Sequence, residues 1–199
     1  MNAPDVVGWN GRLLDQLTFY WTVQLRPRLD GLTDNEYFWE PVPNCWSVRR
    51  REAATTSVGK GVGPFVVEVE RPPPDPPPVT TIAWRLVHII VDCFGTRSEN
   101  HLGGPPINWQ QYEVPGTADW ALRDLDNAVE TWTAGVALLG LEGLERPCGP
   151  TEGSFADHPL AGLVLHIHRE VIHHGAEVLL LRDLYRTGDR VDPSHAHPA

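Results

Sequence analysis

The chain has 199 residues, 41% of them hydrophobic and 21% charged, with a formal net charge of −10. That composition belongs to a folded chain and excludes intrinsic disorder, and the length suits one domain of ordinary size. The acidic balance, relieved only by the run Arg49, Arg50, Arg51, excludes the basic surface that a nucleic-acid binder needs, and no apolar run is long enough to span a membrane.

Residues 8–29 read as a first helix, with Leu13, Leu17, Tyr20, Trp21 and Leu25 at helical spacing and Pro27 near the end. A short helical turn follows in LTDNEYFWEP, where Thr33 as N-cap and Glu36 three residues later form a capping-box signature. From about 44 to 79 no helical period survives. Phe65–Val69 reads as a brief strand, and RPPPDPPPV (71–79) must be extended, because proline fixes φ and donates no hydrogen bond.

A second helix starts at threonines 80–81 and runs to about Leu102, where Gly103, Gly104, Pro105 and Pro106 end it. A third begins near Thr117, with Leu122, Leu125, Val129 and Trp132 as its buried stripe. After a Gly- and Pro-containing linker, 143–159, a fourth helix runs to about Arg186. The expected fold is all-α, a four-helix bundle with a long crossover loop between helices one and two. It occupies 1–190 as a single domain and leaves 191–199 as a disordered tail.

Three cysteines, Cys45, Cys93 and Cys148, form no CxxC pair and are odd in number, so neither a disulfide framework nor a Cys-rich zinc site is expected. Cys93 reads as buried and inert; Cys45 is a weak candidate for reactivity. The opening MNAPDVVGWNGRLLD lacks a basic segment followed by an apolar one, so no signal peptide is expected, and a reducing cytoplasm is the anticipated compartment.

The chemistry concentrates in the fourth helix, which holds His166, His168, Glu170, His173, His174 and Glu177. Positions four apart share a helix face, so His166, Glu170 and His174 form one stripe. With a rise of about 1.5 Å per residue, positions 166 and 174 lie about 12 Å apart along the axis, too far to share an ion. One ion would take His166 with Glu170 or Glu170 with His174, and spacing alone leaves that open. In the second helix His88 stands alone in RLVHIIVDCF. Facing inward, it would complete a shell of two imidazoles and a carboxylate, a three-ligand set that leaves a coordination position open, as catalytic zinc sites do. His101, His158, His195 and His197 show no partner pattern and read as surface residues.

The blocks EYFWEP and WSVR, the histidine in TTIAWRLVHIIVDCFGTR and the segment HIHREVIHHGAEVLLLRD together resemble the DinB/YfiT-like superfamily of bundle metalloproteins, in its actinobacterial branch. Many members use three histidines. The His, Glu, His combination here is similar to the mycothiol-dependent maleylpyruvate isomerase branch, whose additional C-terminal domain this chain lacks. The resemblance, which covers about residues 8–186, selects His88, Glu170 and His174 as ligands and leaves His166 outside. It implies a divalent metal, zinc first, with nickel and iron(II) as alternatives. It also implies transfer of a low-molecular-weight thiol, mycothiol, to a small electrophile. A metal-dependent hydrolase and a non-catalytic metal-binding stress protein are the competing readings, and a second copy of the chain is a candidate partner.

Asp92, four residues after His88, and Glu177, three after His174, are candidates to receive the second N–H of each imidazole. Trp46 and Arg49, at the start of the long loop, are candidates for a pocket wall and an anion contact, against the plainer alternative of a loop anchor and a structural ion pair.

Overall fold

The computed structural model describes residues 8–188. The expected tail at 191–199, with His195 and His197, lies outside them, as does the start of the chain. α1 spans Trp9–Phe19 and continues through a π-helical stretch, Tyr20–Leu25, into Arg26–Leu29. Leu17, Tyr20 and Leu25 of its apolar stripe are buried, while Leu13 and Trp21 are half-buried against the same core. Pro27 cannot donate to the carbonyl four residues back, and the backbone widens into π turns just before it.

α2 (Asp34–Tyr37) carries the expected capping box: the Glu36 N–H donates to Thr33 Oγ1, and the Thr33 N–H donates to Glu36 Oε2. Glu36 is buried and also accepts from Arg182 Nε at 3.1 Å and Arg186 Nε at 3.0 Å. Desolvation opposes its ionisation, but the Thr33 N–H and the two guanidiniums prevail and hold it below the usual carboxylate range. Arg182 further donates to the carbonyls of Arg28 and Asp30. The EYFWEP block and the far end of the fourth helix are thus one polar lock.

The stretch 44–79 is more ordered than a loop with one brief strand. β1 (Val48–Arg50), β2 (Val58–Lys60) and β3 (Phe65–Val69) form an antiparallel sheet in the order β1-β3-β2. Its hub is Glu68, fully buried. One carboxylate oxygen accepts from the Ser47 N–H and Arg49 Nε, the other from the Thr55 N–H and hydroxyl. A buried carboxylate is tolerable only when so satisfied.

α3 runs Ile82–His88, then π-helical Ile89–Gly95, then Thr96–Leu102, capped by the Thr81 side chain and closed by Gly103 in the left-handed region (φ 70°). Trp84 Nε1 donates to the Glu68 carbonyl at 2.8 Å and pins the sheet to α3. α4 (Ala118–Ala137) has Thr117 as N-cap and buries Leu122, Leu125, Val129 and Trp132. The segment expected to be a plain linker holds a short helix, α5 (Gly140–Glu145), and a 3-10 stretch, Pro150–Phe155. α6 (Leu160–Gly188) follows.

α1 packs on α4 and α6, and α3 packs on α4 and α6. The first and second long helices therefore stand diagonally, and the 44–79 stretch is the connection across the bundle. Among the described residues, no helix is long and apolar enough to cross a membrane.

Candidate metal centre

α3 and α6 bring two imidazoles together. The His88 ring stacks on Trp84 one turn earlier, at 5.3 Å between centroids, and meets the His174 ring edge-on at 4.8 Å. His88 Nδ1 lies 2.9 Å from Asp92 Oδ2. The other oxygen of Asp92 accepts from Trp109 Nε1 at 2.6 Å, and the Lys60 ammonium sits 4.8 Å over the Trp109 ring. Burial works against ionisation of Asp92, but the His88 hydrogen bond and charge, the Lys60 charge and the Trp109 N–H outweigh it and lower its pKa. As a carboxylate, Asp92 only accepts, so His88 donates from Nδ1 and Nε2 is the ring nitrogen left to serve as a ligand.

His174 is buried. Its Nδ1 lies 2.8 Å from Glu177 Oε2, and its Nε2 lies 3.5 Å from Glu170 Oε2. Arg85 approaches the same corner, with Nε 3.1 Å from Glu177 Oε2 and Nη1 3.2 Å from His174 Nδ1. The two contacts to Nδ1 demand opposite roles, and the shorter one, to an oxygen that can only accept, assigns the proton to Nδ1. Burial lowers the His174 pKa; Glu177 opposes the shift, and the His88 and Arg85 charges add to it.

Among the described residues, one group of three metal-ligating side chains gathers closely. His173, His174 and Glu177 place one ligand atom each within 4.8 Å of one another. However, the Arg85 guanidinium already occupies the cation position beside Glu177, and the His173 side chain is 63% exposed. The expected set is His88, Glu170 and His174, which is linked in pairs through His174. His174 touches both partners, and His88 and Glu170 do not contact each other directly. Side-chain exposures of 24% for His88, 29% for Glu170 and 11% for His174 leave this grouping open on one side.

The remaining histidines of α6 point elsewhere. His166 Nδ1 is 2.6 Å from Arg169 Nη2 and 3.4 Å from Glu170 Oε1, the carboxylate oxygen turned away from His174. His168 faces α4 and α1. Its Nε2 accepts from Trp132 Nε1 at 3.0 Å, and it hydrogen-bonds the Leu13 backbone. Burial pushes its pKa down to about 4, against the Leu13 contact. His101, expected at the surface, is buried: Glu152 Oε1 at 2.9 Å satisfies its Nε2, and Arg146 donates to its carbonyl. His158 is exposed, as expected.

Arg49 is not the free cation of a pocket wall. Its guanidinium is committed to Glu40 at 2.8 Å, to Glu68 at 2.9 Å and to the Cys45 carbonyl at 3.3 Å, so the structural ion pair is what the fold shows. Trp46 is half-buried, bridged to Thr80, and lies 6.4 Å from the Trp84 ring. It stands behind the Trp84–His88 stack as an anchor of the chain crossing. Cys93 is buried with its thiol pushed up to about 12 by desolvation, aided by Asp92 and Glu170. Cys45 is buried, donates to the Val42 carbonyl and is likewise raised by desolvation. Neither supplies a nucleophile.

Sequence reasoning overlooked Arg85 and Trp109. Arg85, a charge in an apolar helix three residues before His88, left a signal. Trp109 left none, since its partner Asp92 lies on another element.

A sequence model of the DinB superfamily matches residues 16–178. No curated protein and no solved structure matches the chain.

Proposed function

The chain belongs to the DinB superfamily, and from that premise we propose that His88, Glu170 and His174 hold a divalent ion, zinc first, and that the protein transfers a low-molecular-weight thiol, mycothiol, to an electrophilic small molecule. Membership of the superfamily is consistent with a metal-dependent enzyme. The observation that carries the reading is the pairing of two imidazoles across α3 and α6, each with Nδ1 backed by a carboxylate. That backing leaves each Nε2 available as a ligand, with the His174 Nε2 3.5 Å from Glu170 Oε2, and histidine ligands are usually oriented this way.

A bound ion would supply the charge that turns a thiol into a thiolate at neutral pH. In the transfer, the thiol proton is lost to solvent and a sulfur lone pair forms the new C–S bond. The electron pair of the broken bond departs with the leaving group. The chain's own residues orient and shield. Asp92 and Glu177 hold the rings, Arg85 balances Glu177, and Trp84 provides an apolar wall beside His88. The same Trp84 stack, with Trp46 behind it, favours the second reading, a metal-binding protein without turnover whose site is closed by aromatic rings. The partial exposure of His88 and Glu170 weighs against closure.

The test is the metal content of the purified protein, joined to titration with mycothiol and an assay of thiol conjugation to chlorodinitrobenzene. One zinc per chain, thiol binding that requires it, and chloride release with formation of the thioether are expected. Metal without conjugation would favour the binding protein, and no metal would end both readings.

A further inference from the structure

The C-terminal half of α3, the 3-10 stretch Pro150–Phe155 and the first turns of α6 enclose a cleft of about 630 Å³, a size suited to a small organic ligand. Arg97, Arg169, His158 and His166 bring donors to it, and Phe155 and Leu163 line it with apolar surface. Phe155 is 60% exposed although aromatic, with the His158 ring edge-on at 5.3 Å. The cleft's one lining carboxylate, Glu152, is already matched by His101 Nε2 at 2.9 Å and Arg97 Nη2 at 3.4 Å. Arg97 is held in place by its partners: Nη1 bonds the Asp92 carbonyl, Nη2 lies 3.4 Å from Glu152, and its Nε is buried. In a chain of net charge −10, this recess gathers two guanidiniums.

Glu170 forms the boundary between this recess and the paired imidazoles. Its Oε1 faces the cleft residues His166, at 3.4 Å, and Arg169, at 3.6 Å, whereas its Oε2 faces His174. A molecule seated in the cleft would therefore lie one carboxylate away from the candidate ion.

We propose that this cleft seats the electrophilic acceptor, and that the acceptor is a small molecule with an apolar body and a carboxylate head. The exposed Arg169 guanidinium matches a carboxylate in shape and charge, Arg97 adds its charge beside it, and the Phe155–Leu163 surface takes the apolar body. The assignment of this ligand as the acceptor rests on the metal-dependent transfer proposed above; the binding itself does not.

The test titrates benzoate, with neutral benzamide as control, into the zinc-loaded protein and its variants by calorimetry. Benzoate is expected to bind, with benzamide weaker by about tenfold or more, the loss of one charge-assisted hydrogen bond. Arg97→Gln and Arg169→Gln should each weaken benzoate by about tenfold while zinc content stays unchanged. A Cβ at Gly162, which lines the cleft, would meet nothing within 4 Å. Gly162→Phe should therefore fold, fill the cleft and abolish benzoate binding, which keeps the test decisive even if Arg97→Gln does not fold. His174→Ala should lose zinc and keep benzoate. Equal binding of benzoate and benzamide, or benzoate binding that survives Gly162→Phe, overturns the proposal. Wild-type protein that takes up no zinc when offered it, yet binds benzoate, overturns the metal reading instead and leaves the cleft as an anion site.

Discussion

His168 and His174 lie less than two turns apart on α6, both buried, in two seams of the same bundle. His168 meets α4 and α1, where the Trp132 N–H fills its Nε2 lone pair. His174 meets α3, where its ring lies edge-on to His88; a carboxylate backs its Nδ1 and its Nε2 looks toward Glu170. Burial alone therefore does not mark a functional histidine. What separates the two is the partner: a neutral donor consumes the lone pair and makes a strut, whereas an acceptor behind the ring leaves the other nitrogen free, as the proposed ligand role requires.

The strongest way to break this contrast is to delete each ring. His174→Ala is expected to reduce bound zinc from one equivalent to none and to abolish thiol conjugation while leaving the thermal midpoint near that of the metal-free wild type. His168→Ala should keep zinc and lose roughly 2–3 kcal/mol of stability, because it strands the buried Trp132 N–H beside a new cavity. Metal analysis and urea unfolding of the two variants read both outcomes. If the His168 variant is the one that loses zinc, the roles are reversed.

A second effect is confined to the strut. The pKa of His168 falls from 6.5 to about 4 on folding. Between those values the unfolded chain binds the proton and the folded chain does not. The stability it contributes is thus complete above about pH 6.5 and is lost as the pH falls toward 4, by roughly 3 kcal/mol in total. Other groups titrate in that window, so the measurement is the difference between wild type and His168→Gln, in unfolding free energy at pH ~7 and pH ~4. A difference that does not change with pH would show that burial does not hold this ring neutral.

The ligand seam is sharpened through the carboxylate behind His88. Asp92→Ala should weaken zinc binding by about 10–100-fold, and Trp109→Phe, which frees only one oxygen of Asp92, should weaken it less; competition with a chromogenic chelator measures both. The smallest effect belongs to His166, which shares the stripe of His174 but contacts Arg169 and the far oxygen of Glu170. His166→Ala should leave zinc affinity unchanged within error.

The helices were legible because their signals are local. Thr33, Thr81 and Thr117 cap where a helix starts, Gly103 closes α3, and the apolar stripes of α1 and α4 are the faces that are buried. The sheet was legible only at Phe65–Val69. β1 and β2 are three residues each, too short to show alternation, and Glu68 reads as a solvent-facing acid until Ser47, Arg49 and Thr55 close around it. The choice between the two readings of Arg49 was hidden for the same reason, since its partners Glu40 and Glu68 come from different elements.

By itself the sequence determined the all-α frame, its helix limits, and the small set of residues able to ligate a metal, because periodicity, caps and residue chemistry act over a few positions. It put His166, Glu170 and His174 on one stripe without saying which end of that stripe meets another helix. Only the tertiary structure decided that, by standing α3 diagonal to α1 so that His88 faces His174, by turning His168 into the opposite seam, and by filling the corner beside Glu177 with Arg85. These are contacts between side chains 36 to 89 positions apart. Their geometry depends on how whole helices pack, and no pattern within one helix encodes it.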